Sequence, residues 1–281
     1  MGFYGKHFSY NGISCDEFGL ALYDIGEAGQ GSSTFIASSG EIVEDWLPLK
    51  HSSYFYGVRQ NTPLTFTMVF GVDPEIKKTR PPVTADDFLD RWEINKINNW
   101  LTAHTDSRKW LEIEQPDTEY LRYYCTITDL QLITHGWYPW AYQCTVSCDS
   151  PYAYTYPYKF RYSVGTSSAS ETKTVSLRSR SNINELYYPD IIITPKKQER
   201  ILIQNLAAED KSFIMDMSKY VGGMTINISG DTEVISCSEG WDIYEGFNFN
   251  FVPLTPGNNK LKLQGCFDVE FICEFPVNPG G

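Results

Sequence analysis

The chain has 281 residues, of which 42% are hydrophobic and 15% aromatic, and it carries a formal net charge of −12. That length can bury a sizeable core and favours two domains over one. The acidic balance argues against a nucleic-acid binder, whose affinity comes from Lys and Arg neutralising phosphates, and no segment is long and apolar enough to span a bilayer as a helix.

Residues 1–151 hold 11 Lys and Arg against 20 Asp and Glu, and residues 152–281 hold 12 against 15. The acidic excess therefore sits in the first half. Tyr, Phe and Trp number 19, 16 and 7, and 21 Gly and 15 Pro punctuate the chain. Aromatic and β-branched residues fit half-buried pleated surfaces, so the composition predicts a mainly β protein. The N-terminus lacks the apolar run of a secretory signal, which places folding in a cytoplasm. The seven Cys read as reduced, buried thiols. Cys144 and Cys148 share a strand face roughly 13 Å apart, too far for a disulfide.

In chain order, residues 3–10 read as a strand ending at Asn11-Gly12, a pair that tolerates positive φ and marks a hairpin. Residues 18–23 and 41–47 read as further strands, the second with Ile42, Val43, Trp46 and Leu47 as apolar surface. Gly26, Gly29 and Gly31 lie in a small-residue loop without the spacing, or the following Lys, of a phosphate cradle.

The stretch 54–71 is the most informative. Tyr54, Phe55, Tyr56 and Gly57 form an aromatic edge. After Pro63, Leu64, Phe66, Met68 and Phe70 alternate with Thr65, Thr67 and Val69. A period of two predicts a strand with one buried face and one hydroxyl-rich face.

One helix is expected over about residues 84–103. Thr84-Ala85-Asp86-Asp87 resembles an N-cap with acids in the first turn. Ile94, Ile97 and Leu101 recur at helical spacing, with Trp100 beside them. Phe88 and Trp92 form a second i, i+4 pair, which suggests contact with another element or another subunit. Residues 109–114, 120–134 and 138–148 then read as strands. Asp149-Ser150-Pro151 breaks the pattern and marks the expected domain boundary. Beyond it, short strands separated by Gly-rich turns predict a β-sandwich of jelly-roll or galectin-like type, with no helix.

Reactive machinery is hard to find. The four His (His7, His51, His104 and His135) stand apart, and none pairs with Cys, Asp or Glu at zinc-ligand spacing on one element. Glu112 and Glu114 share a strand face about 7 Å apart, which admits a glycoside hydrolase reading. Carboxylates on one exposed strand are more often a solvated face than a cleft pair. Trp241 and Tyr244, beside Asp242 and Glu245, could form a saccharide-stacking platform. The sequence therefore predicts no catalytic residues, no cofactor, no metal and no enzyme.

Several ordered stretches resemble the distal tail proteins of long-tailed, non-contractile bacteriophages. They are Phe8-Ser9-Tyr10-Asn11-Gly12 with Glu17-Phe18-Gly19-Leu20; residues 54–71; the helix with Arg91-Trp92 and Trp100-Leu101; residues 120–124; Cys148-Asp149-Ser150-Pro151-Tyr152-Ala153; and residues 247–265. The resemblance implies a structural part of the virion tail tip that is assembled in the host cytoplasm. It implies a homohexameric ring built by an N-terminal β domain with one helix (1–151), and a peripheral galectin-like or carbohydrate-module-like sandwich (152–281). Implied partners are the tail tube, the tail-associated hub or lysin, and receptor-binding or baseplate proteins in host adsorption. DNA passes through the channel, where an acidic wall would favour sliding over sticking, and there is no membrane. Tyr54, Phe55, Tyr56 and Arg59, with Phe88 and Trp92, are then expected at the oligomer interface. The alternatives are a carbohydrate-binding module acting through the C-terminal sandwich, and a tail-tube subunit, which is expected to lack the second domain.

Overall fold

The computed structural model describes residues 7–26, 41–47, 51–59, 62–73, 88–104, 106–114, 121–208, 211–219, 223–240 and 242–279. The chain forms two compact units, residues 1–154 with 278–281, and residues 155–277.

The first unit opens with β1 (Phe8–Tyr10) and β2 (Ile13–Ser14), a hairpin closed by Asn11 and Gly12, both at positive φ. A 3-10 turn at Cys15–Phe18 follows and ends at Gly19 in the left-handed region. Phe18 therefore lies in this turn rather than opening the next strand, which is β3 (Leu20–Gly26). Then come β4 (Glu41–Asp45), β5 (Tyr54–Arg59), β6 (Thr65–Val72), the helix α1 (Arg91–Thr102), β7 (Lys109–Ile113), β8 (Leu121–His135), β9 (Tyr138–Cys148) and the short β10 (Ala153–Thr155). The main sheet runs β2-β1-β7-β8-β9-β6-β3, while among the described residues β4 and β5 pair only with each other.

The period-two pattern of β6 sets its orientation. Leu64, Phe66, Met68 and Phe70 are buried, and Thr65, Thr67 and Val69 are more exposed. With β3 on one side and β9 on the other, β6 places Phe70 opposite Tyr142, with their rings stacked 5.5 Å apart; Phe8 lies 5.2 Å from Phe70. Gly71 is required here. A Cβ at that position would lie 2.7 Å from the Ala141 Cβ, the Trp140 carbonyl oxygen and the Tyr23 ring.

The helix begins later than its sequence suggested. Residues 84–87, including the expected cap, lie outside the described residues. The cap is Asp90, whose carboxylate accepts the Glu93 backbone N–H at 2.7 Å, while the Asp90 N–H donates to the Glu93 side chain at 2.9 Å. This is a reciprocal capping box. Phe88 thus precedes the helix and forms no helical pair with Trp92. Ile97, Trp100 and Leu101 are buried on the core face. Trp100 stacks on Phe8 and Phe18 and donates its indole N–H to the Tyr10 carbonyl at 3.0 Å.

In the second unit, β11 (Tyr158–Val164), β12 (Glu171–Ser179), β13 (Asp190–Pro195), β14 (Arg200–Asn205), β15 (Ser212–Asp216), β16 (Ile226–Ile228), β17 (Ile235–Cys237), β18 (Gly257–Gly265) and β19 (Phe267–Cys273) precede a two-residue β20 (Pro276–Val277). Two antiparallel sheets form, β11-β19-β13-β16-β17 and β12-β18-β14-β15. Ile191, Ile193 and Phe271 from one share a core with Ile203, Phe213 and Leu263 from the other, as in a β-sandwich. Its closing turn is built by Asn259, which is fully buried and fully engaged. Its side-chain oxygen accepts from the Asn205 amide at 2.7 Å and the Thr255 N–H at 2.8 Å, and its amide donates to the carbonyls of Thr255 and Gly257.

All seven cysteines are free thiols. Cys125 and Cys148 face each other across β8 and β9. Burial pushes the Cys144 and Cys148 thiols up to about 12 and raises Cys125 as well, with Cys148 and Cys144 as neighbours adding to the shift.

Two outcomes are expected. Phe70→Ala removes a fully buried ring between Phe8 and Tyr142, and should cost about 3–5 kcal/mol in urea denaturation followed by tryptophan fluorescence. The three buried thiols keep protons that the unfolded chain releases above its ordinary value of 9.0. The native state then binds more protons, so stability should fall as pH rises above about 9 and on toward about 12. A rising urea midpoint over that range would contradict the assignment.

Candidate assembly surfaces

The β4–β5 ribbon leaves its apolar side chains in solvent. Pairing runs Ile42↔Val58 and Val43↔Gly57, then shifts by a bulge so that Glu44 faces Phe55 and Asp45 faces Tyr54. Gly57 supplies the positive φ of the bulged strand, at 135°. Ile42 is 60% exposed, Trp46 64%, Phe55 64% and Tyr56 65%. Glu44 knits the open end together. It accepts from the Ser53 hydroxyl at 2.6 Å and the Trp46 indole at 3.1 Å, and these bonds, Ser53 first, hold its carboxyl below the usual range. The apolar residues 42, 43, 46 and 47 are all exposed at the surface.

Of the expected interface residues, Tyr54, Phe55 and Tyr56 therefore sit together on one exposed strand. Arg59 ends that strand, and its side chain lies outside the described residues. Phe88 and Trp92 stand elsewhere. Phe88 stacks on Tyr138 at 4.6 Å, and the neighbouring Leu89 N–H donates to the Pro139 carbonyl at 2.9 Å. Trp92 is 67% exposed, with the Lys96 ammonium 5.5 Å from its ring. These contacts join the helix entry to the turn between β8 and β9, where Trp137 is 95% exposed beside Tyr138. Sequence reasoning missed Trp137. Its signal was the His135-Gly136-Trp137 turn between two long alternating strands, with Gly136 at φ 65°.

The remaining candidates separate. Glu112 lies on β7, alternates with the buried Leu111 and Ile113, and accepts from the Ser9 hydroxyl at 3.3 Å. Glu114 follows the strand and is exposed. Trp241 lies outside the described residues. Tyr244 occupies a 3-10 turn, stacks on Phe249 at 6.1 Å and accepts the Ile235 N–H at 3.2 Å, so its ring and hydroxyl both hold its own unit together. Near it a cleft is lined by Met215, Met217, Met224, Asp242 and Glu245. At the opposite end of the sequence the fold brings His7 against Cys15 and Asp16, a convergence that spacing along one element did not signal. Burial pushes the Cys15 thiol up to about 11, less the effect of the Phe8 N–H it accepts.

Residues 3–150 match the profile of a phage tail protein N-terminal domain, and residues 152–273 match that of a phage tail C-terminal domain. No curated protein matches the chain. Among solved structures, the chain is similar to the Dit protein (gp 19.1) of phage SPP1, described as a paradigm of the hub adsorption apparatus in phages infecting Gram-positive bacteria. The TM-score is 0.66 at 14% identity, covering 96% of this chain and 98% of that one. It is also similar to a chain of the phage p2 baseplate in its activated conformation with Sr, at TM-score 0.50 and 8% identity, covering 96% and 97%.

A two-stranded ribbon has little stability of its own in water. In the isolated chain, amide hydrogens of residues 42–45 and 54–58 should exchange far faster than those of β6 and β9, and slow when the protein assembles. Hydrogen exchange by mass spectrometry reads both states. Protection equal to β6 in a dilute monomer would show that the ribbon is already covered.

Proposed function

The chain belongs to the phage tail protein family, and from that membership we propose that it is a distal tail protein that self-associates into a hexameric ring at the tail tip. In this reading the first unit builds the ring around a channel for DNA and the second unit lies at the periphery. The ring joins the tail tube to the tail-associated hub or lysin and to receptor-binding or baseplate proteins. The role is structural, not catalytic.

The observation that carries the reading is the exposed apolar surface of the β4–β5 ribbon. Contiguous large hydrophobics at such exposure mark interaction sites in soluble proteins. Tyr and Trp are also the residues that interfaces favour, because a large apolar body carries a polar tip. A cyclic ring uses two different patches per subunit, each meeting the other patch on the next copy. The first unit offers two such patches, the ribbon with Tyr54, Phe55 and Tyr56, and the helix entry with Phe88, Trp92 and Trp137. The likeness of the fold to a hub protein supports the same reading. The first unit's acidic excess suits a channel that repels the phosphate backbone in transit.

The test is sedimentation of the intact protein. A species of six times 32.1 kDa is expected, and Phe55→Ser with Tyr56→Ser should reduce it to monomers whose near-ultraviolet circular dichroism is otherwise native. A wild-type protein that stays monomeric at its highest soluble concentration overturns the ring.

A further inference from the structure

His7, Cys15 and Asp16 are not among the residues of either assembly patch, and the reading above assigns them no role. Its three donor atoms, an imidazole nitrogen, a thiol sulfur and a carboxylate oxygen, all fall within 4.8 Å of one another. The His7 Nδ1 is 2.7 Å from the Asp16 Oδ1, and the Cys15 Sγ is 3.8 Å from the same oxygen. We propose that this corner is a binding site for a borderline-soft divalent cation of the Zn2+ class, held by His7, Cys15 and Asp16, which ties β1 to the 3-10 turn after β2.

The donor set selects the metal. A thiolate with an imidazole suits zinc and its transition-metal neighbours, whereas Mg2+ and Ca2+ require oxygen ligands. Zinc bonds of about 2.0–2.3 Å place tetrahedral ligand atoms about 3.3–3.7 Å apart. The sulfur–oxygen separation already lies close to that range. The nitrogen–oxygen separation must open by less than about 1 Å, which the half-exposed side chains of His7 and Asp16 allow, at 38% and 46% exposure.

The backbone under the site is fixed by independent bonds. The Phe8 N–H donates to the Cys15 sulfur at 3.4 Å, which is the bond a thiolate ligand retains. The Glu114 N–H donates to the His7 carbonyl at 3.0 Å. The Asp16 N–H donates to the Ser14 hydroxyl at 3.2 Å, and the Gly19 N–H donates to the carbonyls of Cys15 and Asp16. The sulfur is buried and the other two donors face solvent, so the cation has an entry path and a fourth position open to water. On binding, the thiol gives its proton to solvent, and the Nδ1 proton that His7 donates to Asp16 is also given up to solvent, with any remaining ring proton held on Nε2, so that the freed Nδ1 lone pair binds the metal. No electron is transferred.

The experiment titrates the full-length protein with Co2+ as an optical probe and with Zn2+ in a calorimeter. One cation per chain is expected, with a thiolate-to-cobalt charge-transfer band that Zn2+ abolishes and a higher melting temperature in the presence of Zn2+. Cys15→Ser should remove the band. His7→Gln, a change at a half-exposed side chain, should weaken Zn2+ by at least about tenfold, since loss of even an outer-shell partner costs about 10–100-fold. Metal-free melting of the His7→Gln variant should match the wild type. If Cys15→Ser fails to fold, His7→Gln carries the test alone. Wild-type protein without the band, or Zn2+ affinity unchanged in His7→Gln, overturns the site and leaves an ordinary histidine–aspartate ion pair.

Discussion

The first unit hinges on Trp100. An indole buried among apolar groups must place its N–H against an acceptor or forfeit a hydrogen bond. Trp100 does so by reaching the Tyr10 carbonyl while its ring lies against Phe8 and Phe18. One side chain thereby fastens the helix to β1 and to the turn that follows β2. The aromatic chain continues from Phe8 to Phe70 and from Phe70 to Tyr142, so the helix, β1, β6 and β9 share one packing unit.

The same logic explains why the β4–β5 ribbon stands out. Every large side chain of β6 that points inward is buried in the first unit's core: Phe70 lies in this aromatic chain, Phe66 packs edge-on against Tyr123, and Met68 is fully buried beside them. The ribbon has comparable apolar content and, among the described residues, pairs with no strand of the main sheet. Its exposure does not follow from a shortage of hydrophobicity. It follows from surface that the chain's own core does not use, which is the physical basis for the proposal that a second copy of the chain covers it.

Sequence reading succeeded where one residue's environment repeats every second position. The β6 and β9 alternations give their buried faces directly, because both strands pack one face against a core and leave the other lighter. It failed where local signals competed. Thr84-Ala85-Asp86-Asp87 and Asp90-Arg91-Trp92-Glu93 both carry cap-like residues, and only the second has the Glu at the third position that can return a bond to the cap. Phe18 looked like strand because it is aromatic, yet Gly19 at positive φ ends a 3-10 turn there. Ile42, Val43, Trp46 and Leu47 read as apolar surface and are exposed, but hydrophobicity alone does not say which molecule will bury them.

The His7 corner was hidden for a different reason. Motif spacing finds ligands on one helix or one strand, whereas His7 meets Cys15 and Asp16 only because Asn11-Gly12 folds the chain back on itself and the next turn is a 3-10 rather than a strand. Three backbone conformations with positive φ, at Asn11, Gly12 and Gly19, thus determine whether three ordinary side chains are neighbours. Their convergence is a property of turns, and so is the exposure of Trp137 on the β8–β9 turn. In this chain the strands can be read from composition and period, whereas the surfaces available to other molecules are set at the places where the chain reverses direction.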